Sequence, residues 1–192
     1  IGDQIAELES EGGADRYVFG FEESYGYLSG TFVRDKDAVI AALLTCEAAA
    51  YSKAGGYTLL DALQKLFERY GYFEEALSSY TLPGKDGVEK IAALMDSLRL
   101  SAPETLGGMK VTAVSDYLSS QRVSASGTES IDLPKSNVLL YDLEGGAWFA
   151  VRPSGTEPKL KIYMGVKGSS SEDSSAKIAA LKAEADRLVG QA

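Results

Sequence analysis

Residues 147–166 read AWFAVRPSGTEPKLKIYMGV, and this stretch determines how the second half of the chain folds. An apolar run opens it, a loop rich in Pro, Ser, Gly and Thr follows at 152–158, and apolar residues then alternate with polar ones from Leu160 to Val166. Alternation with period two is typical of a strand that has one face on a core and the other in water. The stretch therefore predicts two strands joined by a short loop.

The same pattern predicts two more strands, at 111–114 and 138–143, and the Gly-rich turn 144–146 would close a hairpin. Apolar residues at helical spacing predict four helices. Their expected starts follow Asp35 (as the cap), Thr58, Gly84 and Ser175. The predicted fold class is therefore α+β, with a helical segment at 1–82 and a compact four-stranded antiparallel sheet with helices at 83–192.

The composition excludes several classes of function. A formal net charge of −9 excludes a general binder of nucleic acid or of anionic membranes, which needs a basic excess. The absence of His excludes histidine-based catalysis and histidine zinc ligands. A single Cys forms neither an internal disulfide nor a multi-thiolate metal site, which favours a cytoplasmic protein. No apolar run approaches the about 20 residues that cross a bilayer.

A loop with two adjacent carboxylates lies at 18–27, VFGFEESYGY. Adjacent residues of an extended chain point to opposite sides, whereas Glu22 and Ser24, two apart, can face the same way. A carboxylate and a hydroxyl on one side can clamp neighbouring sugar hydroxyls, because one accepts hydrogen bonds and the other both donates and accepts. The alternative interpretation is a solvated acidic turn packed by its tyrosines.

The loop at 152–158 has the composition of an anion site. Arg152 offers a planar fork for two phosphate oxygens. Ser154 and Thr156 add hydroxyl groups, and Gly155 lets the backbone turn so that its N–H groups converge on an anion. With Lys159 and Lys161 the loop forms a local basic island in an acidic chain. The alternative is an ordinary turn between strands.

The charged stretch 34–37, RDKD, also has two interpretations. It can be a helix start, because Asp near a helix N-terminus is stabilising. Alternatively, Lys36 reaches a site near Glu22.

Taken together, these loops resemble those of the α-D-phosphohexomutases, the phosphoglucomutase/phosphomannomutase family. Residues 21–26, FEESYG, resemble the family's sugar loop G-E-E-S-F-G, with Phe21 in place of the first Gly. Residues 152–158, RPSGTEP, match its phosphate loop R-x-S-G-T, and 33–37, VRDKD, resemble its R-E-K-D stretch. The resemblance covers nearly the whole chain.

The resemblance also implies roles for individual residues. Glu22 and Ser24 would contact sugar hydroxyls, and Lys36 would approach the substrate as a charge or as a proton donor. The residues that would hold the phosphate that is not transferred are Arg152, Ser154, Gly155 and Thr156.

At the level of the whole protein, the resemblance implies the α/β end of domain 3 (1–82) and domain 4 (83–192) of a four-domain enzyme. Such enzymes interconvert hexose 1-phosphate and hexose 6-phosphate through a phosphoserine and a bisphosphate intermediate. Glucose phosphates are the favoured substrates here, from the likeness to the phosphoglucomutase branch.

The family's T-A-S-H-N-P serine loop and its Asp-rich Mg²⁺ loop are absent from this sequence. Because the chain also begins at Ile1, we expect it to be a piece of a longer protein whose N-terminal domains carry those loops. By itself it is expected to bind no metal and to be inactive. The alternative, from a different functional class, is a stand-alone sugar-phosphate binding or regulatory module.

Overall fold

The computed structural model describes residues 1–22, 25–155 and 157–190, and the chain divides into two compact units, 1–66 and 67–192. The elements of the first part of the chain are α1 (Gly2–Ser10), a 3₁₀ turn (Ala14–Arg16), β1 (Gly20–Phe21), β2 (Tyr27–Leu28), α2 (Ala38–Ala54) and α3 (Leu59–Tyr70). Strands β1 and β2 pair antiparallel as a small hairpin. Its base is fixed where the Tyr17 hydroxyl donates to the Leu28 carbonyl at 3.1 Å.

Side-chain caps explain where α2 and α3 begin. The Asp37 carboxylate accepts hydrogen bonds from the amides of Val39 (2.8 Å) and Ile40 (3.4 Å), so Asp37 and not Asp35 caps α2. At the start of α3, the Asp61 carboxylate accepts from the Thr58 amide at 2.8 Å, and the Thr58 hydroxyl accepts from the Asp61 amide at 3.1 Å. This reciprocal pair is the capping box that the sequence predicts.

Within the described residues, the second unit contains an antiparallel sheet and two complete helices. Its strands are β3 (Tyr72–Thr81), β4 (Thr105–Leu106), β5 (Met109–Asp116), β6 (Gln121–Ser124), β7 (Gly127–Ser130), β8 (Leu139–Leu143), β9 (Trp148–Pro153) and β10 (Lys159–Gly168). The helices are α4 (Lys85–Leu100) and α5 (Ser171–Gly190). The strand order is β3-β10-β9-β8-β5-β6-β7, and β4 pairs with β5. The α+β class with an antiparallel sheet is confirmed.

The four predicted strands correspond to β5, β8, β9 and β10. Strand β3 is not predicted by the sequence, although it pairs with β10 over ten residues, from Lys159↔Thr81 to Gly168↔Tyr72. It is also bonded to α5, because the Ser174 hydroxyl donates to the Tyr72 carbonyl at 2.5 Å. β3 therefore lies in the second unit, while the division into 1–82 and 83–192 remains a prediction.

The core of the second unit lies between one face of the sheet and the helices α4 and α5. Leu160, Ile162 and Met164 are 0% exposed, as their alternation predicts. The apolar residues of the predicted C-terminal helix, including Ile178 and Leu181, pack into the same cluster. Among the described residues, no helix combines the length and the apolar character needed to cross a membrane.

Candidate functional site

The carboxylate loop is the turn of the β1–β2 hairpin. Strand β1 begins at Gly20, and the turn is closed by the Glu22 amide, which donates to the Gly26 carbonyl at 2.8 Å. Glu22 is half-buried at this position. Glu23 and Ser24 lie outside the described residues, and so does the predicted clamp between Glu22 and Ser24.

Lys36 lies against this turn, as one of the two sequence interpretations expects. Its Nζ is 3.4 Å from Oε2 of Glu22 and 3.0 Å from Oδ1 of Asp35. Its aliphatic stem passes over Gly26, where an added Cβ would collide with the Lys36 Cγ. Because position 26 is a glycine, the Lys36 ammonium group can approach the Glu22 carboxylate.

Electrostatics favour a permanent positive charge on Lys36. Hydrogen bonding to Asp35 is the main cause that raises its pKa above the usual value, and the charge of Glu22 adds to it. The same contact lowers the pKa of Asp35. A lysine held protonated in this way is a poor proton donor but a good partner for an anionic or hydroxyl-rich ligand.

A cavity of about 480 Å³ opens beside this lysine. Tyr25, Gly26 and Lys36 line one side of it. The other lining residues are Phe19, Tyr27, Ala38, Ala41, Ala42, Leu44 and Thr45. The cavity has the size of known small-molecule sites, which range over about 300–1,000 Å³.

The phosphate-type loop joins β9 to β10, as predicted. Its two ends are fixed by backbone hydrogen bonds: the Ser154 amide donates to the Lys159 carbonyl at 2.7 Å, and the Leu82 amide donates to the Pro158 carbonyl at 2.9 Å. The Ser154 hydroxyl accepts from the Glu157 amide at 3.3 Å. Thr156 lies outside the described residues.

Gly155 lies in open surroundings within this loop. Its φ is outside the left-handed region, and among the described residues no heavy atom beyond its chain neighbours lies within 4 Å of a Cβ built on it. The glycine is therefore not needed for a tight turn. The open space leaves its backbone accessible.

Two unpaired cations face each other beside this loop. Arg152 is exposed in β9 and stands in register with Lys161 of β10. Residues in register on neighbouring strands place their side chains on the same face. Within 1–22, 25–155 and 157–190, neither side chain has a hydrogen bond or an ion pair, whereas Lys159 pairs with Glu157 at 3.0 Å.

Sequence reasoning missed two features of these loops. It took Asp35 as a helix cap, whereas Asp35 binds Lys36, and it gave no separate role to Tyr25, whose backbone conformation cannot be read from residue types. The described residues also bring no group of three His, Cys, Asp or Glu side chains together as metal ligands. The resemblance places the ligands of Mg²⁺ on a loop that this sequence does not contain.

Comparisons with known proteins agree for both parts of the chain. The family model "Phosphoglucomutase/phosphomannomutase, alpha/beta/alpha domain III" matches residues 2–70, and "Phosphoglucomutase/phosphomannomutase, C-terminal domain" matches 98–187. The phosphoglucomutase of Staphylococcus aureus strain bovine RF122 is 41% identical over 183 residues, which are 94% of this chain and 32% of that protein. The phosphoglucomutase of strain MRSA252 is 40% identical over the same shares of both chains.

The fold resembles a solved structure as well. The open form of pp63/parafusin, a phosphoglucomutase from Paramecium, superposes with a TM-score of 0.61 at 16% identity, covering 98% of this chain and 32% of that one. The chain thus spans about a third of the length of the relatives it matches.

Proposed function

Because the chain belongs to the phosphoglucomutase/phosphomannomutase family, we propose that it supplies the two substrate-binding loops of a phosphohexomutase. The whole enzyme would interconvert hexose 1-phosphate and hexose 6-phosphate through a phosphoserine and a bisphosphate intermediate. The loop at 21–26 would bind the sugar, and the loop at 152–156 would bind the phosphate that is not being transferred. Glucose phosphates are the favoured substrates in this proposal.

At the sugar end, Glu22 and Ser24 would bind hydroxyl groups, and Lys36 would act as a fixed positive charge. The 3.4 Å contact between the Lys36 ammonium and the Glu22 carboxylate supports this assignment, because the two groups already share one location. The raised pKa of Lys36 favours the role of a charge over that of a proton donor. Asp35 would then orient the ammonium group.

At the phosphate end, the cross-strand pair of Arg152 and Lys161 is the single observation that carries the proposal. Like charges directly opposite each other on a sheet are destabilising. A bound phosphate would turn this repulsion into two attractive contacts, and the Arg152 guanidinium can bind two of its oxygens at once. Ser154, Gly155 and Thr156 would complete the site with hydroxyl and amide groups.

The chemical step itself would need groups that this sequence lacks. In the family, a serine carries the phosphoryl group and Mg²⁺ offsets the charge that develops during transfer. The absence of His excludes the family's serine motif from this sequence, and the described residues offer no metal cluster. The 192-residue chain is therefore proposed to bind substrate but to have no mutase activity by itself.

Titration of inorganic phosphate into the isotopically labelled chain, followed by backbone amide shifts, tests the phosphate end. We expect shifts at 152–155, and about tenfold or greater weakening in Arg152→Ala, because a charged hydrogen-bonding group is lost. Lys135→Ala, which removes an exposed cation outside both loops, is the matched control and should bind as tightly as the unchanged chain. A titration in which 152–155 do not move would refute the assignment.

A further inference from the structure

Tyr25 adopts an unusual backbone conformation in the turn that carries Glu22. Its φ is +64°, in the left-handed region that bulky residues rarely enter. For residues other than Gly, this conformation costs about 1–2 kcal/mol. Strain of this kind persists where the surrounding structure enforces it, and it concentrates at ligand sites. Here the Glu22–Gly26 backbone hydrogen bond closes the turn around it.

The Tyr25 side chain also lies in solvent. It is 87% exposed, and no described residue stacks on its ring or bonds its hydroxyl. An aromatic side chain normally contributes to stability by burying its surface, which Tyr25 does not do. The left-handed conformation of Tyr25 therefore costs free energy, and no ring stacking or side-chain hydrogen bond within the described residues offsets it.

The ring is placed beside the charged groups of the sugar loop. Tyr25 and Lys36 line the same cavity, and the Lys36 stem lies against Gly26, the next residue after Tyr25. The Lys36 ammonium in turn contacts the Glu22 carboxylate. An apolar ring, a carboxylate and a cation at one location suit a ligand with one apolar face and a hydroxylated edge.

We propose that Tyr25 is the platform on which the sugar ring of the substrate packs, and so a specificity-determining residue of the sugar loop. This inference rests on the proposed function. Pyranoses whose hydroxyls are all equatorial present axial C–H bonds on both ring faces, and these pack on an aromatic ring. An axial hydroxyl interrupts one face, so the platform favours glucose phosphates over mannose phosphates.

Two substitutions separate the ring from the backbone strain. Tyr25→Gly removes the ring but accepts a positive φ freely, so the turn is retained and relaxed. Tyr25→Phe keeps the ring and removes only the hydroxyl. The exchange rate of the Glu22 amide, which closes the turn, checks that the hairpin is intact in both variants.

The experiment titrates glucose 1-phosphate, mannose 1-phosphate and inorganic phosphate into the full 192-residue chain and the two variants. We expect Tyr25→Gly to bind glucose 1-phosphate about three- to tenfold more weakly and to lose saturation transfer to the sugar C–H protons. Its affinity for inorganic phosphate should not change. Tyr25→Phe should match the unchanged chain for all three ligands.

The outcomes separate this inference from the proposed function. If the unchanged chain binds glucose 1-phosphate no better than inorganic phosphate, the sugar end of the proposed function fails. If it does bind better, but Tyr25→Gly retains that advantage, the platform is refuted. Equal losses in Tyr25→Gly and Tyr25→Phe would also refute stacking, because the hydroxyl would then be the contact.

Discussion

The two units of the chain bury their apolar side chains to very different extents. In 67–192 a continuous core includes Phe149, Leu160 and Ile162, each 0% exposed. In the described part of 1–66, Ile5 and Leu28 are the buried hydrophobic residues. The apolar side chains of α2 and α3 that remain exposed include Val39 (79%), Leu43 (61%), Tyr51 (75%) and Leu60 (77%).

This contrast shows that the units are held together by different forces. The hydrophobic effect acts through a closed core in 67–192. In the first unit, local interactions contribute a larger share of the stability. They include the Asp37 cap, the Thr58–Asp61 capping box and the β1–β2 hairpin. Regions with few buried apolar contacts open at lower free energy than packed cores. The first unit should therefore be the more easily opened of the two.

The largest effect is expected when the same substitution, leucine to alanine, is made in each unit. Leu160→Ala in β10 should lower the free energy of unfolding by about 2–5 kcal/mol, because it leaves a cavity in a closed core. Leu60→Ala in α3 should change it by no more than about 0.5 kcal/mol, because the side chain is already in solvent. Urea unfolding followed by the fluorescence of the single tryptophan, Trp148, measures the loss in the second unit, and hydrogen exchange of the α3 amides measures the loss in the first.

Equal losses at the two leucines would contradict the comparison. Leu160→Val is a useful second variant, since a smaller change of volume keeps the unit folded if Leu160→Ala does not fold. Its loss should lie between those of the other two variants.

Local patterns in the sequence predicted much of the fold, but not all of it. The alternation from Leu160 to Val166 identified β10, and the spacing of Thr58 and Asp61 identified the start of α3. Strand β3 was missed because its pairing with β10 is a long-range contact that its own residues, at 72–81, do not reveal. Cys46 lies among apolar residues of α2 and is nevertheless exposed, because burial depends on which elements surround a helix.

The candidate site, like the fold, is predictable from the sequence only in part. Residue types and order were enough to identify Glu22, Lys36 and Arg152 as candidates, because their chemistry is carried by the side chain itself. The contact between Lys36 and Glu22 is one of two interpretations that the sequence leaves open, and the 3.4 Å distance between the two groups decides between them. The positive φ of Tyr25 is not predictable from its residue type, because bulky residues rarely adopt this conformation.

A second test uses acid to probe the packed unit. Asp116 is partly buried, and burial by itself raises the pKa of its carboxyl. Hydrogen bonds from Ser119 and from the Leu118 amide favour the charged form, and so does the positive charge of Arg99. Together these interactions outweigh burial, so the pKa of Asp116 is lowered overall. A carboxyl whose folded pKa is depressed stabilises the fold above its unfolded pKa of about 3.9, and this contribution is lost as the pH falls through the folded value.

Asp116→Asn should therefore destabilise the second unit by about 1–2 kcal/mol at pH 7 and make its stability less dependent on pH below about pH 4. Urea unfolding followed by Trp148 fluorescence at neutral and acidic pH measures both effects. If the variant and the unchanged chain lose stability in parallel on acidification, Asp116 is not responsible for the acid sensitivity. Asp86→Asn, at an exposed carboxyl in α4, is the control and should retain the pH dependence of the unchanged chain.

The smallest effect is expected at the cap of α2, where the local interactions of the first unit act. Asp37→Ala removes the acceptor for the amides of Val39 and Ile40 and should cost about 1 kcal/mol of helix stability. Because few tertiary contacts hold this helix, the loss should appear as faster hydrogen exchange in its first turn, with no change in the strands of 67–192. Asp37→Asn should restore slow exchange, since asparagine caps as well as aspartate. Unchanged exchange in Asp37→Ala would mean that packing and not the cap determines where α2 begins.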